Sequence, residues 1–129
     1  MWKGTDWTKF YTVADHLKDY SEEEEYQRSA SGRYYYFCFG LLRYYYRKTT
    51  HRHLPFSNAH SVLIEHLENS NFVEEQKLGF KLKALRLNRI HADYKGNFDK
   101  KTVVESKDLA TEIIDSTNKL IKNPLYSIF

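Results

Sequence analysis

Cysteine, proline and glycine are scarce in this chain, which has one, two and five of them among 129 residues. Cys38 is the single cysteine, so the fold cannot depend on an internal disulfide or on an oxidising compartment. An all-β chain needs many turns, so the shortage of turn residues favours long helices. The sequence also lacks an apolar run of the roughly 20 residues that span a membrane. Its polar start, residues 1–6, is unlike a secretory signal. These absences predict a soluble, cytoplasmic protein.

Charge is present in both signs but is unevenly distributed. The 20 basic and 17 acidic side chains give a net charge of +3, which by itself does not indicate nucleic-acid binding. Acidic residues cluster at 22–25 and 74–75, whereas basic residues are concentrated at 43–52 and 77–101. One face of the folded protein could therefore be much more basic than the average.

The spacing of apolar residues predicts a single helical domain over residues 1–129. Apolar side chains recur at helical intervals over about 6–19, 21–47, 72–94 and 102–120. A shorter helix carrying Leu63 and Leu67 is expected to begin at Ser57 or Asn58, which are cap-forming residues. Short connections between long amphipathic helices make neighbours antiparallel. The predicted fold class is therefore all-α, an up-down bundle of four to five helices.

The helix predicted at 72–94 carries two adjacent stripes at 4-3-4-3 spacing, and each turns polar near its C-terminal end. One stripe consists of Leu78, Leu82, Leu85, Arg89 and Ala92, and the other of Phe80, Ala84, Leu87, His91 and Tyr94. An arginine that continues a core stripe is costly unless it is paired. Asp93 lies one turn after Arg89, and Arg33 on the second helix is another candidate partner for it. We interpret Arg33, Arg89 and Asp93 as a structural ion pair that connects two helices.

Arg86 and His91 form an Arg-x4-His spacing on the same helix. Five helical residues rotate by about 140° and rise by about 7.5 Å, so the two side chains do not share a stripe. A long arginine can still curl towards the histidine. A neutral imidazole can take the proton of an RNA 2′-hydroxyl, while a guanidinium stabilises charge on the phosphate under attack. That reaction needs no metal or cofactor. The alternative is a satisfied surface or interface histidine, because this spacing also arises by chance.

The remaining polar candidates are a basic group and three histidines. A basic group at the end of the second helix is either a phosphate-binding patch for RNA or a solvated face; it comprises Arg43, Arg47, Lys48 and Arg52. His51 and His53 lie beside it, but no further ligands occur at metal-site spacing, so no metal is predicted. His60 is interpreted as a helix-start residue rather than a catalyst.

Three segments in order resemble the motifs of one family. Residues 28–37 read R-S-A-S-G-R-Y-Y-Y-F and resemble the helix "R-S-A-x-S-R-x-Y-Y" of HEPN-domain proteins (higher eukaryotes and prokaryotes nucleotide-binding). Residues 58–60, N-A-H, look like the family's "S-x-H" entry to its third helix. Residues 85–94, L-R-L-N-R-I-H-A-D-Y, are similar to its "L-R-x-x-R-x-x-A-D-Y" segment. Order and spacing agree over roughly residues 24–94.

This resemblance implies a four- or five-helix bundle that usually forms a homodimer. Many HEPN proteins are metal-independent ribonucleases of toxin-antitoxin, abortive-infection or CRISPR systems, with an Arg-x4-6-His motif from both subunits at the dimer cleft. Arg86 and His91 match that motif. The expectation is a homodimeric endoribonuclease acting on RNA, as a toxin or phage-defence effector, with an antitoxin or nucleotidyltransferase as partner. The alternative is a non-catalytic HEPN module that binds RNA, a nucleotide or a protein.

Overall fold

The computed structural model describes residues 8–20, 24–94 and 100–122, and these residues form five α-helices and no strand. The helices are α1 (Thr8–Tyr20), α2 (Glu24–Thr50), α3 (Ala59–Glu68), α4 (Val73–Tyr94) and α5 (Lys100–Lys122). The predicted all-α bundle is confirmed. Among the described residues, no helix is both long enough and apolar enough to cross a membrane.

Helix α2 lies at the centre of the bundle. Its buried side chains surround the whole helix instead of forming one stripe: Ala30, Tyr34, Tyr35, Phe37, Cys38, Phe39, Leu41, Leu42 and Tyr45. Such a helix must be covered on several sides, and α1, α4 and α5 all pack against it. Within the run of tyrosines at 34–36, both Tyr34 and Tyr35 are fully buried.

Helices α1 and α5 cover one side of α2 and are joined to it by polar contacts. Asp15 of α1 accepts a hydrogen bond from the Tyr34 hydroxyl and pairs with Lys107 Nζ of α5 at 3.2 Å. Near the start of α2, Ser31 Oγ lies 3.3 Å from Ser106 Oγ within the core. These contacts hold α1 and α5 against α2 and against each other.

Helix α4 runs antiparallel to α2, because the ends of α2 contact opposite ends of α4. Near the start of α2, the Arg28 guanidinium donates a hydrogen bond to the Ala92 carbonyl oxygen. Near the end of α2, the Tyr45 hydroxyl donates to Glu75 Oε2 at 2.5 Å. Ser70 Oγ donates to the other carboxylate oxygen of Glu75 at 2.5 Å. This buried carboxylate therefore has a donor for each oxygen, as a buried charged group requires.

Helix α3 departs from strict up-down order because it runs in the same direction as α2. The His60 ring at its start lies 4.0 Å from the Phe39 ring, and the His66 ring near its end lies 4.9 Å from the Tyr46 ring. The two contacts follow the same order along both helices, so α2 and α3 are parallel. The loop that joins them must therefore run back along α2. Asn58 precedes α3 with a left-handed φ of 62°, and its side chain makes no capping hydrogen bond.

Helices α3 and α4 lie close together at Gly79. A Cβ atom at this position would lie 2.8 Å from the backbone nitrogen of Glu68 and 2.9 Å from Leu67 Cβ. Further along, α4 turns one predicted stripe to the core and the other to solvent. Phe80 is 71% exposed and Leu87 is 51% exposed. Beyond this close approach, a groove opens between the two helices.

Candidate functional site

Arg86 lies on the side of α4 that faces α3. Its Nη1 donates a hydrogen bond to Ser61 Oγ at 3.2 Å. Its Nε is buried and has no hydrogen-bond partner among the described residues. A buried donor without an acceptor costs about 1–3 kcal/mol. The guanidinium is thus held at one point by Ser61, and because Nε is buried, only the rest of the group can face a ligand in the groove.

The groove beside Arg86 has a volume of about 280 Å³. Its lining combines aliphatic, cationic and acidic side chains: Ser61, Ile64, Glu65, Glu68, Lys83, Arg86, Leu87 and Ile90. Mostly apolar walls with a few polar groups are typical of sites for small ligands. The lining holds two acidic residues, Glu65 and Glu68, beside the two basic residues Lys83 and Arg86, so its overall charge does not by itself select an anionic ligand.

His60 lies where α2, α3 and α4 meet, next to groove residue Ser61. Its ring stacks on Phe39 at 4.0 Å with an interplanar angle of 20°, and its Nδ1 lies 2.5 Å from the Tyr35 hydroxyl oxygen. The sequence did not predict this environment, because Tyr35 and His60 are 25 residues apart and no spacing rule connects them. The only signal in the sequence was the likeness of residues 58–60 to a family motif.

The electrostatics of this junction keep His60 neutral. Burial lowers the pKa of His60 below its usual 6.5, and the positive charges of Arg86 and Arg89 lower it further. Burial also raises the pKa of the Tyr35 phenol, although the same two arginines act in the opposite direction. Arg89 itself lies over the Tyr36 ring, 5.0 Å from its centroid, as in a cation–π contact. At neutral pH the junction therefore holds a neutral imidazole and a neutral phenol beside two guanidinium groups.

The lowered pKa of His60 predicts that the fold loses stability in mild acid. The unfolded chain binds a proton at His60 more readily than the folded chain does. The stability that neutral His60 contributes to the fold is therefore fully present above pH 6.5 and is lost as the pH falls through the folded pKa. We expect the urea midpoint of the wild type to drop between pH 7.5 and about pH 5, and to drop less in His60→Gln. Equal drops in the two proteins would contradict this expectation.

His91 does not meet Arg86 within one chain. It is exposed on the solvent-facing stripe of α4, and its imidazole makes no hydrogen bond or ring contact with the described residues. Its carbonyl oxygen lies 3.5 Å from Arg28 Nη1, which anchors the end of the helix. The five-residue offset turns the two side chains about 140° apart. That Arg86 and His91 act together stays a prediction, and it requires a second copy of the chain.

The predicted ion pair of Arg33, Arg89 and Asp93 also stays a prediction. The Asp93 side chain lies outside the described residues. Arg33 is exposed, and Arg89 is half-buried against Tyr36.

The basic group at the end of α2 lies far from His91 along the helix axis. All four of its side chains are exposed: Arg43, Arg47, Lys48 and Arg52. Arg28 of α2 is level with His91, and Arg43 follows fifteen residues later, or about 22 Å along the axis. The structure therefore does not bring the predicted RNA-binding patch next to the predicted catalytic pair.

Comparisons of the chain with protein-family models, with curated proteins and with solved structures found no match. In the part of the chain that the structure describes, no group of three or more His, Cys, Asp or Glu side chains could hold a metal ion.

Proposed function

We propose that the protein is a HEPN-type, metal-independent endoribonuclease that acts on RNA. The observation that supports this proposal most directly is the position of Arg86, which is held by Ser61 and lines the groove. Arginine presents a planar fork of donors that matches the oxygens of a phosphate. Placed in a partly dry groove, such a group stabilises negative charge that develops on a phosphodiester.

The proposed reaction uses the nucleophile that RNA itself carries. A neutral imidazole, assigned to His91 by the resemblance, takes the proton of the 2′-hydroxyl. The 2′ oxygen then bonds to the adjacent phosphorus while the bond from phosphorus to the 5′ oxygen breaks. The leaving oxygen takes a proton from water, and the imidazolium later returns its proton to solvent. The products are a 2′,3′-cyclic phosphate and a 5′-hydroxyl end.

A homodimer is part of the proposal because Arg86 and His91 diverge within one chain. Phe80 and Leu87 precede His91 on the same face of α4, and both are more than half exposed. In a two-fold dimer the same surface patch meets its own copy. Pairing this face would bury the two apolar side chains and place one copy's His91 against its partner.

Cleavage by the purified protein tests the proposal directly. Single-stranded RNA should be cut in the presence of EDTA and should yield 2′,3′-cyclic phosphate ends. The same sequence with 2′-O-methyl groups should stay intact, because the nucleophile is blocked. An intact natural RNA, or cleavage of the methylated strand, would contradict the proposed chemistry.

A second candidate is a non-catalytic HEPN module that binds RNA, a nucleotide or a protein partner. The observation that favours it is the exposed position of His91, which lies outside the groove-lining set. This candidate predicts binding without turnover. For the catalytic candidate, the resemblance points to a toxin or phage-defence effector, with an antitoxin or nucleotidyltransferase partner.

A further inference from the structure

We propose that Arg43, Arg47, Arg52 and Phe56 form a docking surface for single-stranded RNA along the α2–α3 loop, residues 51–58. We call these four residues the loop surface. Its arginines bind phosphates of the strand, and its phenylalanine stacks on a base. The choice of RNA rather than DNA rests on the proposed function. The binding chemistry does not, because it involves no cleavage.

The course of the α2–α3 loop brings Phe56 and Arg52 beside the other two arginines. The loop begins where α2 ends and leads to the start of α3, which lies beside Phe39. It therefore passes the last eleven residues of α2, a stretch of about 16 Å at 1.5 Å per residue. Arg43 lies one turn after Phe39 on the same side of α2, and Arg47 lies one turn further. The four residues of the loop surface thus share one region of the molecule.

The loop holds Phe56 in place without covering it. Leu54, two residues earlier, is buried in the core. At one end of the loop, the backbone N–H of His51 donates to the last turn of α2 at 3.0 Å, and at the other the carbonyl oxygen of Asn58 accepts from the first turn of α3 at 2.9 Å. Phe56 itself is fully exposed, and its ring contacts no other ring among the described residues. An anchored loop therefore presents an uncovered ring, as base stacking requires.

The positive charge of the loop surface is not neutralised within the described part of the chain. Residues 26–64 contain six arginines and lysines and no aspartate or glutamate. Arg43, Arg47 and Arg52 are exposed and make no ion pair with the described residues. Lys107 of α5, in contrast, is paired with a carboxylate of α1. An anionic partner would therefore meet three guanidinium groups that are available for its phosphates.

Lys48 does not belong to the loop surface, although the sequence placed it with the three arginines. It follows Arg43 by five residues, so its side chain projects about 140° away around α2. Its Nζ lies over the Tyr44 ring, 5.7 Å from the centroid. Lys48 is thus an exposed cation of the same helix that points in another direction, which makes it a matched control.

Three arginines beside one exposed ring favour a single nucleic-acid strand over other anionic partners. The planar fork of arginine matches phosphate oxygens, and one unpaired base covers one aromatic ring. A duplex keeps its bases stacked inside, so it offers no base to Phe56. A membrane-binding surface needs a larger apolar area, and Phe56 is followed by the polar residues Ser57 and Asn58.

The test measures binding of a fluorescent 2′-O-methyl RNA strand of about twelve nucleotides, which has no free 2′-hydroxyl and stays intact. Fluorescence anisotropy gives the affinity over a range of salt concentrations. A phosphate contact to a single strand contributes a slope of about −0.7 in log K against log salt, so three contacts predict a slope of about −2. The duplex of the same sequence and vesicles that contain phosphatidylserine are measured in parallel.

Two kinds of variant separate phosphate contacts from stacking. Arg47→Gln should weaken binding and reduce the salt slope by about 0.7. Phe56→Ser should weaken binding of the single strand about tenfold without changing the slope, and should leave duplex binding unchanged. Phe56→Tyr keeps a ring and should retain most of the affinity. Lys48→Gln and Val104→Ser, an exposed apolar position of α5, should stay within about twofold of the wild type.

All these positions are exposed, so the circular dichroism of each variant should match that of the wild type. If Lys48→Gln weakens binding as much as Arg47→Gln does, the attraction is general and the loop surface is wrong. Full affinity in Phe56→Ser, or an equal loss with the duplex, would overturn the stacking role. Binding to the vesicles but not to the strand would overturn the assignment to nucleic acid.

The failure of this inference and the failure of the proposed function are distinguishable. If the protein binds the strand through the loop surface but cleaves no natural RNA, the proposed function alone is contradicted. If it cleaves RNA while Arg47→Gln and Phe56→Ser bind the uncleavable strand as the wild type does, this inference alone is contradicted.

Discussion

Replacing Arg86 or His91 by alanine is expected to reduce RNA cleavage by at least about a hundredfold in each case, while the helical content stays unchanged. Losing one donor that stabilises a developing negative charge typically costs a factor of about 10²–10³. Loss of the proton acceptor costs a factor of about 10²–10⁴. Neither side chain is part of the buried core, so the bundle should still fold. Initial rates on a labelled single-stranded RNA measure the effect.

Two controls separate catalysis from general charge. Lys119→Ala removes an exposed cation of α5 and should leave the rate within about twofold, because exposed charges are strongly screened. Arg86→Lys keeps the charge but loses the planar fork, so it should recover little activity. Full activity in Arg86→Ala would contradict the proposed site. Full activity in His91→Ala with an inactive Arg86→Ala would contradict the assignment of His91 alone.

Replacing Gly79 by alanine is expected to lower the free energy of unfolding by about 1–3 kcal/mol, the usual cost of overpacking. The added Cβ would lie 2.8 Å from the backbone nitrogen of Glu68, and a backbone atom cannot rotate away as a flexible side chain can. Helices α3 and α4 would have to separate, which would also lengthen the contact between Arg86 and Ser61. Urea denaturation followed by circular dichroism measures the loss.

Gly32→Ala provides a control with the same chemical change. A Cβ atom at Gly32 in α2 would meet no atom within 4 Å. Alanine has a higher helix propensity than glycine, so this variant should gain about 0.4–1 kcal/mol. If the free energy of unfolding falls in Gly79→Ala and rises in Gly32→Ala, the close approach of α3 and α4, rather than helix propensity, determines the effect at Gly79. A stable Gly79→Ala protein would contradict the close packing.

The sequence predicted where the helices lie in the chain but not which elements pack against each of them. Apolar spacing located α2 and α4 because one helix is a local property of the chain. The same spacing does not show how many sides of α2 are covered, and Tyr34, Tyr35 and Tyr45 are all buried. Burial there depends on α1, α4 and α5, which contact α2 from distant parts of the chain. The parallel course of α3 was missed for a similar reason, since loop length alone does not give a loop's path.

The sequence predicted the candidate site only where the residues involved are close together in the chain. Arg86 was found from its spacing to His91, and the structure gives it a groove position that the spacing could not reveal. His60 was interpreted as a helix-start residue because its partners, Tyr35 and Phe39, are more than twenty residues away. A contact of this kind becomes visible only when the helices are packed.

The central position of α2 has a consequence for the single thiol of the chain. Cys38 is fully buried, and burial raises the pKa of its thiol. Thiolate, the reactive form, is therefore rare, and alkylating reagents cannot reach the sulfur while α2 is enclosed. Labelling of Cys38 in native buffer then proceeds only as fast as the enclosing helices open. The rate at which a thiol reagent labels Cys38 therefore reports how often the core opens.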